Sequence, residues 1–298
     1  MRRAILLLAV AAAFLLPSFA SFAAQVDGLQ MPAWVEHAGE RLPARAGMAL
    51  VEADVVETGK GGRLIIQLAD GSFVKLGEEA RLALVSLREE NAPQGTLTGL
   101  LNVVKGAFRY TAGTLGRMVR RDIQVNIAST TLGIRGTDVW GRSKDGGATV
   151  CLIEGKITLT HPARGEFTMD QPLSFFVAPR DGEPQPVGPV DPKKLKQWSA
   201  ETELDLGRGV ILPGGGWIVQ LGSHKTEAAA RKIEKRLLGD GIPVEFTTVQ
   251  LKDRAFHRLR VSGFDSQQDA KYFADKVRGQ PGIPKPLVTC NIPGSSCQ

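Results

Sequence analysis

Arg258 and Arg260 stand two residues apart with Phe256 on the same parity, and about forty residues earlier a second run carries Ile218, Gln220, Ser223 and His224. A guanidinium is a planar fork that matches a carboxylate. An amide pairs with hydroxyls, and aliphatic and aromatic side chains give surface to the C–H faces of a sugar ring. Side chains alternate across a strand. If Trp217, Val219 and Leu221 face a core, Ile218 and Gln220 face away from it, and inward Leu259 and Val261 leave Phe256, Arg258 and Arg260 outward. The chemistry expected is recognition of an amphipathic polymer with carboxylates. The competing reading is that the arginines merely keep an exposed strand soluble.

Catalysis has less to stand on. The chain has four histidines, His37, His161, His224 and His257, and three cysteines. None falls at zinc-ligand spacing, and no nucleophile motif accompanies them. His224 and His257 therefore read as ordinary surface histidines with respect to metal. A carboxylate pair of the glycosidase kind is left open by spacing alone. The expectation is a binding protein, not an enzyme, with no metal and no cofactor.

The elements that must position these groups follow a strand–helix–strand, strand–helix–strand pattern. Trp217 to Leu221 is a strand. Thr226 can cap a helix that lines up Ala230, Ile233 and Leu237, with Gly239 as its left-handed stop. Val244 to Val249 and Phe256 to Val261 follow as strands. Ser266 and Asp269 resemble a capping box for a helix carrying Ala270, Phe273, Ala274 and Val277, closed at Gly279. Pro286 to Thr289 is the last strand. A forty-residue shift aligns Val219 with Leu259, Leu221 with Val261, Thr226 with Ser266 and Ala230 with Ala270. Two such halves make a ferredoxin-like α+β domain, βαββαβ, whose four-stranded antiparallel sheet has both helices on one face.

Residues 47 to 178 read as short strands between turns such as Asp70-Gly71, Lys105-Gly106, Asp145-Gly146-Gly147 and Glu154-Gly155, the pattern of an all-β sandwich or roll. Leu64, Ile66 and Leu68, then Asp70-Gly71 and Phe73 to Leu76, predict a hairpin. Ile123, Val125 and Ile127 alternate in the same way. Pro179 to Pro192 is a linker by composition, and residues 193 to 206 can form a surface-packed helix presenting Leu195, Trp198 and Leu206.

Met1, Arg2 and Arg3 precede an apolar run from Ala4 to Leu16, then Pro17 and small residues, with Ser21 and Ala23 at small-x-small spacing. This is a signal-peptide pattern. The run holds 13 residues, short of the roughly 20 that span a bilayer. The expectation is export with no stable membrane span, a retained anchor being the alternative. In an oxidising compartment Cys290 and Cys297 can close a short loop, whereas Cys151 reads as a buried small hydrophobe. Residues 25 to 190 carry 18 basic and 19 acidic residues, but 217 to 298 carry 13 and 8. The positive field therefore belongs to the C-terminal unit. Outside the cytoplasm that favours anionic envelope polymers and lipid head groups over nucleic acid, which is not expected as a partner.

The run WIVQLGSHKTEAAARKIEKRL, with HRLRVSGFDSQQDAKYFADKV about forty residues on, resembles a SPOR domain, the sporulation-related repeat of bacterial division and cell-wall proteins. The resemblance implies binding to glycan strands stripped of stem peptides at the division septum. Removal of the peptide exposes the lactyl carboxylate of muramic acid, a group suited to arginine. By position, Gln220 and Ser223 match the family's strand-end polar motif and Arg258 and Arg260 its third strand. The sequence departs at His224, where the family usually carries an aromatic residue. Strand parity and the resemblance together give the expected glycan-binding set Ile218, Gln220, Ser223, His224, Phe256, Arg258 and Arg260.

QLADGSFVKLGEEARLAL, KGAFRYTAG, TTLGIRGTDVWGR and TVCLIEGKITL resemble a FecR domain, with Gly133 to Thr137 the most specific part. A tight turn allowed by Gly133 and Gly136, with Arg135 pairing to Asp138, is the structural reading of that segment. The expected organisation is a signal peptide at 1–23, a FecR-like β domain at 40–178, a linker with a short helix at 179–213, a SPOR domain at 214–290 and a tail at 291–298. The expected function is non-catalytic peptidoglycan binding in the periplasm, at the septum, with the β domain contacting wall or other envelope and division proteins. A FecR-type signalling partner and a wall hydrolase or its accessory are the alternatives.

Overall fold

The computed structural model describes residues 23–90, 96–113, 120–252 and 254–290. The expected export signal therefore lies, except for its last residue, outside the described residues, as do the tail and Cys297. Seventeen strands come first: β1 (Ala24–Gln30), β2 (Ala33–His37), β3 (Glu40–Pro43), β4 (Ala49–Leu50), β5 (Val55–Thr58) and β6 (Arg63–Leu68). Next are β7 (Phe73–Leu76), β8 (Arg81–Glu90), β9 (Thr96–Thr111), β10 (Arg120–Ile127), β11 (Thr130–Ile134) and β12 (Asp138–Lys144). β13 (Gly147–Glu154), β14 (Ile157–His161), β15 (Gly165–Met169), β16 (Ser174–Ala178) and β17 (Gly188–Pro189) complete them. The sandwich takes in β1 and β2, ahead of the start expected at residue 40.

Two sheets pack face to face and share β9. In the first sheet its second half pairs with β7 and β12; in the second sheet its first half pairs with β8 and, in parallel, with β10. Gly106 sits where the strand passes from one sheet to the other. Its φ is +86° and a Cβ there would meet Ala80 Cα at 2.5 Å, so only glycine is accommodated. The expected hairpin forms between β6 and β7, with Leu64 opposite Leu76. Alternation puts Leu64, Ile66 and Leu68 of one sheet and Ile123, Val125 and Ile127 of the other into the interior, all 0–2% exposed. Each such side chain contributes about 1.5–3 kcal/mol by leaving water.

The segment after the sandwich holds α1 (Pro192–Thr202) and β18 (Val210–Ile211). Asp191 caps α1 by accepting from Lys193 N at 2.7 Å. The helix lies on the outer face of the first sheet, with Leu195 and Trp198 packed there. Leu206, expected on the same stripe, falls past the helix end and is 72% exposed. β18 is hydrogen-bonded on both sides: Ile211 is opposite Leu29 of β1 and also opposite Phe264.

β19 (Trp217–His224), α2 (Glu227–Gly239), β20 (Glu245–Leu251), β21 (Arg254–Phe264), α3 (Gln267–Val277) and β22 (Leu287–Cys290) follow. The strand order β20-β21-β19-β22, antiparallel throughout, is the ferredoxin-like sheet. Ser266 caps α3 as expected, accepting from Asp269 N. Thr226 makes no side-chain cap bond, and the left-handed stop after α2 is Gly241 rather than Gly239, because Gly239 remains helical. A single hydrophobic core runs from the sandwich into this unit.

Candidate functional site

The helices cover one face of the C-terminal sheet. Val219, Leu221, Leu259 and Val261 are fully buried there, and Arg231 of α2 lies 3.7 Å over the Phe246 ring. Residues directly opposite in an antiparallel pair share a face, so the register assigns the other side. Gln220 is opposite Arg260, Arg260 is opposite Glu245, and Ser223 is opposite Arg258. Phe256 is opposite Val249 on the same side. Gln220, Ser223, Phe256, Arg258 and Arg260 thus share the helix-free face, each at least partly exposed.

A register shift between Gln220 and Gly222 makes Leu221 a bulge residue. The parity reading would have turned Ser223 inward; the extra residue turns it outward beside Arg258. The same shift removes His224 from the expected set. It is opposite His257 on the helix side, and its Nε2 lies 2.9 Å from where a Cβ on Gly222 would stand. His257 is not a surface histidine either: it is 9% exposed, beside the Phe246 ring, with Nδ1 3.1 Å from Thr248 Oγ1. Ile218 has the expected outward parity but is only 6% exposed, so it offers little contact area. Leu287, absent from the sequence-derived set, is opposite Gln220 and 56% exposed. Its signal was the apolar residue at an edge strand, which strand parity alone could not orient.

The two arginines differ electrostatically. Arg260 Nε donates to Glu245 Oε2 at 2.8 Å, with both side chains about a third exposed or more. Among the described residues no carboxylate pairs with Arg258, and its Nε is shielded from solvent with no hydrogen-bond partner. The face therefore holds one neutralised guanidinium and one available for an anion, beside an amide, a hydroxyl, an aromatic ring and Leu287.

The remaining sequence candidates resolve differently. Asp138 does not pair with Arg135. It takes a bidentate pair from Arg109, at 2.8 and 2.6 Å, and that bond holds Arg109 above its ordinary range. Arg135 is exposed on the turn, where Gly136 has φ +89°. His161 Nε2 lies 3.0 Å from Ser129 Oγ, but its Nδ1 accepts from Ala163 N at 3.2 Å. Nε2 then carries the proton and donates to the serine, so this histidine cannot act as the serine's base. Cys151 is free and buried, and burial pushes its thiol up to about 11. Cys290 is disulfide-bonded. Among the described residues no group of three or more His, Cys, Asp or Glu could hold a metal ion, and no helix is long and apolar enough to cross a membrane.

The SPOR domain family matches residues 213–289, and the FecR protein family matches residues 54–158. The chain thus carries an all-β FecR-like sandwich followed by a SPOR domain. No curated protein matches it. A crystal structure of a proposed anti-sigma factor from Parabacteroides distasonis ATCC 8503 is 13% identical, covering 67% of this chain and 96% of its own, with a TM-score of 0.39. A second structure of the same description covers 78% and 97% at the same identity and TM-score.

Proposed function

We propose that the chain is an exported, non-catalytic peptidoglycan-binding protein whose C-terminal sheet takes glycan strands lacking stem peptides, in the periplasm and at the division septum. The observation that carries this reading is the shared helix-free face of Gln220, Ser223, Phe256, Arg258 and Arg260. A denuded glycan presents sugar faces, hydroxyls and a lactyl carboxylate. Phe256 and Leu287 offer apolar area, Gln220 and Ser223 offer hydrogen bonds, and Arg258 offers the free cation. The SPOR match supports the same polymer.

Two functional units, a wall-reading one at 214–290 and a FecR-like one at 40–178 extended by β1 and β2, belong to this proposal. The FecR match supports a signalling role for the sandwich, as a contact module for another envelope protein. A hydrolase is the weaker reading, since the Ser129–His161 pair has the wrong proton arrangement for a nucleophile.

The test is retention of the full mature chain on purified sacculi before and after amidase digestion. Digestion should increase retention, and a chain with Arg258→Ala and Gln220→Ala should lose that increase. Equal retention of both chains would sink the proposal. Zymography on the same preparation should show no clearing zone.

A further inference from the structure

The Gly133–Thr137 turn borders a groove of about 410 Å³ on the outer face of the second sheet. Gly133 forms its floor. A Cβ added there would find its nearest neighbour, Thr158, at 3.8 Å, so the space above the glycine is open. Gln124 and Thr158 flank Gly133 across β10 and β14. One row along, Thr131 and Thr160 lead across to Glu166 of β15. At the opposite end Arg135 follows Ile134, whose partner is Ile123, so Asp122 stands beside Arg135 in the neighbouring strand.

All three charged residues are exposed, and among the described residues none of their side chains makes an ion pair or a hydrogen bond. Solvated surface charge is the competing explanation, and it predicts no ligand. The arrangement nevertheless has a specific complement. The groove holds one cation at one end and carboxylates at both, with hydroxyls and an amide between them. No aromatic ring lines it, which disfavours a stacked sugar. Threonine hydroxyls and the Gln124 amide match peptide N–H and C=O groups. Arg135 stands four positions beyond Thr131, about 13 Å along the strand, and Glu166 stands two strands across from Thr131, about 10 Å sideways, so the Cα atoms of Arg135 and Glu166 are about 16 Å apart. With side chains reaching inward, that leaves about 10 Å between charges, the span of an extended tripeptide.

The geometry points to a binding site for a short, free-ended basic peptide. Its C-terminal carboxylate is held by Arg135, a side-chain ammonium next to that terminus by Asp122, and its N-terminal ammonium by Glu166.

Calorimetric or NMR titration of the full chain with alanyl-alanyl-lysine tests this. Saturable binding is expected, weakened about five-fold by amidating the C-terminus and about five-fold by acetylating the N-terminus. In an Arg135→Ala chain the amidation should cost nothing further, and in a Glu166→Gln chain the same should hold for acetylation. Both positions are exposed, and unchanged melting temperatures confirm that the variants fold. Failure of the wild-type chain to bind at millimolar peptide, or equal binding of free and capped peptides, overturns the site. Because the variants leave the C-terminal sheet untouched, retention on sacculi should be unaltered by either one.

Discussion

Trp198 lies flat on Trp140, their ring centroids 4.6 Å apart and their planes 2° from parallel. Trp140 is wholly buried beneath it, in a small cluster with Cys151, Val190 and Ala107 that is separate from the main core. α1 therefore acts as a cover whose principal grip is one indole, reinforced by Glu201 on Arg142 and by Glu203 on Lys75 and Arg109. Replacing Trp198 by alanine should cost about 2–3 kcal/mol, less than for a fully buried tryptophan. Cys151 should then react with a thiol reagent at pH 8 much faster than in the wild-type chain. Unchanged labelling kinetics would mean that α1 does not seal the cluster.

Alkaline pH should destabilise the protein through that same cysteine. Its thiol titrates at about 11 in the folded chain against 9.0 ordinarily, because burial disfavours the thiolate. Below pH 9 both states keep the proton and stability is full; above it the unfolded chain deprotonates first, so stability falls as pH rises toward 11. At pH 10.5 the loss from this group is about 2 kcal/mol. Tyr110, raised to about 12 by burial, adds a smaller loss starting near pH 10. Urea unfolding at pH 8 and pH 10.5 should show most of the difference abolished by Cys151→Ala.

Arg121 and Asp70 are the most deeply buried ion pair described, with side chains 6% and 1% exposed. Asp70 also accepts from Ser72 N and Oγ, and Arg121 donates to Gly113 O, so the pair ties the β6–β7 turn to the end of β9 and the start of β10. Arg121→Ala should cost about 3–5 kcal/mol by leaving a buried carboxylate unpaired. A double Arg121→Met, Asp70→Asn chain should lose less than the sum of the single changes. Thermal melts of the four chains decide this, and additive losses would contradict it.

On the helix-free face, Arg258→Ala should reduce retention on amidase-treated sacculi about ten-fold, and Arg260→Ala by less, since Glu245 already occupies Arg260. Glu245→Gln should raise retention, most visibly at low salt where exposed charges are least screened. Equal losses at the two arginines would show that the ion pair opens on binding.

Period-two alternation and helical spacing were enough to write down the C-terminal sheet, its two helices and the outward parity of Gln220, Arg258 and Arg260. They could not reveal the bulge at Leu221, because one inserted residue leaves no compositional trace, yet it exchanges Ser223 for His224 on the face. Nor could they supply Arg109 as the partner of Asp138, since local spacing offered Arg135 instead and the true pair is set by the β9–β12 register. Val210 and Ile211 sit between Gly209 and the glycines at 214 to 216, so by composition they read as tether. Their role is decided by edges contributed from β1 and β21, which come from opposite ends of the chain.

That two-residue strand has a mechanical meaning. Gly209 N and Val210 N are gripped by the wholly buried Asp269 at 2.9 and 2.8 Å, and the Gln30 amide clasps Asp205 and Arg208 just upstream. β21 and the first strand of the sandwich are fastened to opposite edges of the same two residues, so moving either unit against the other requires breaking these hydrogen bonds.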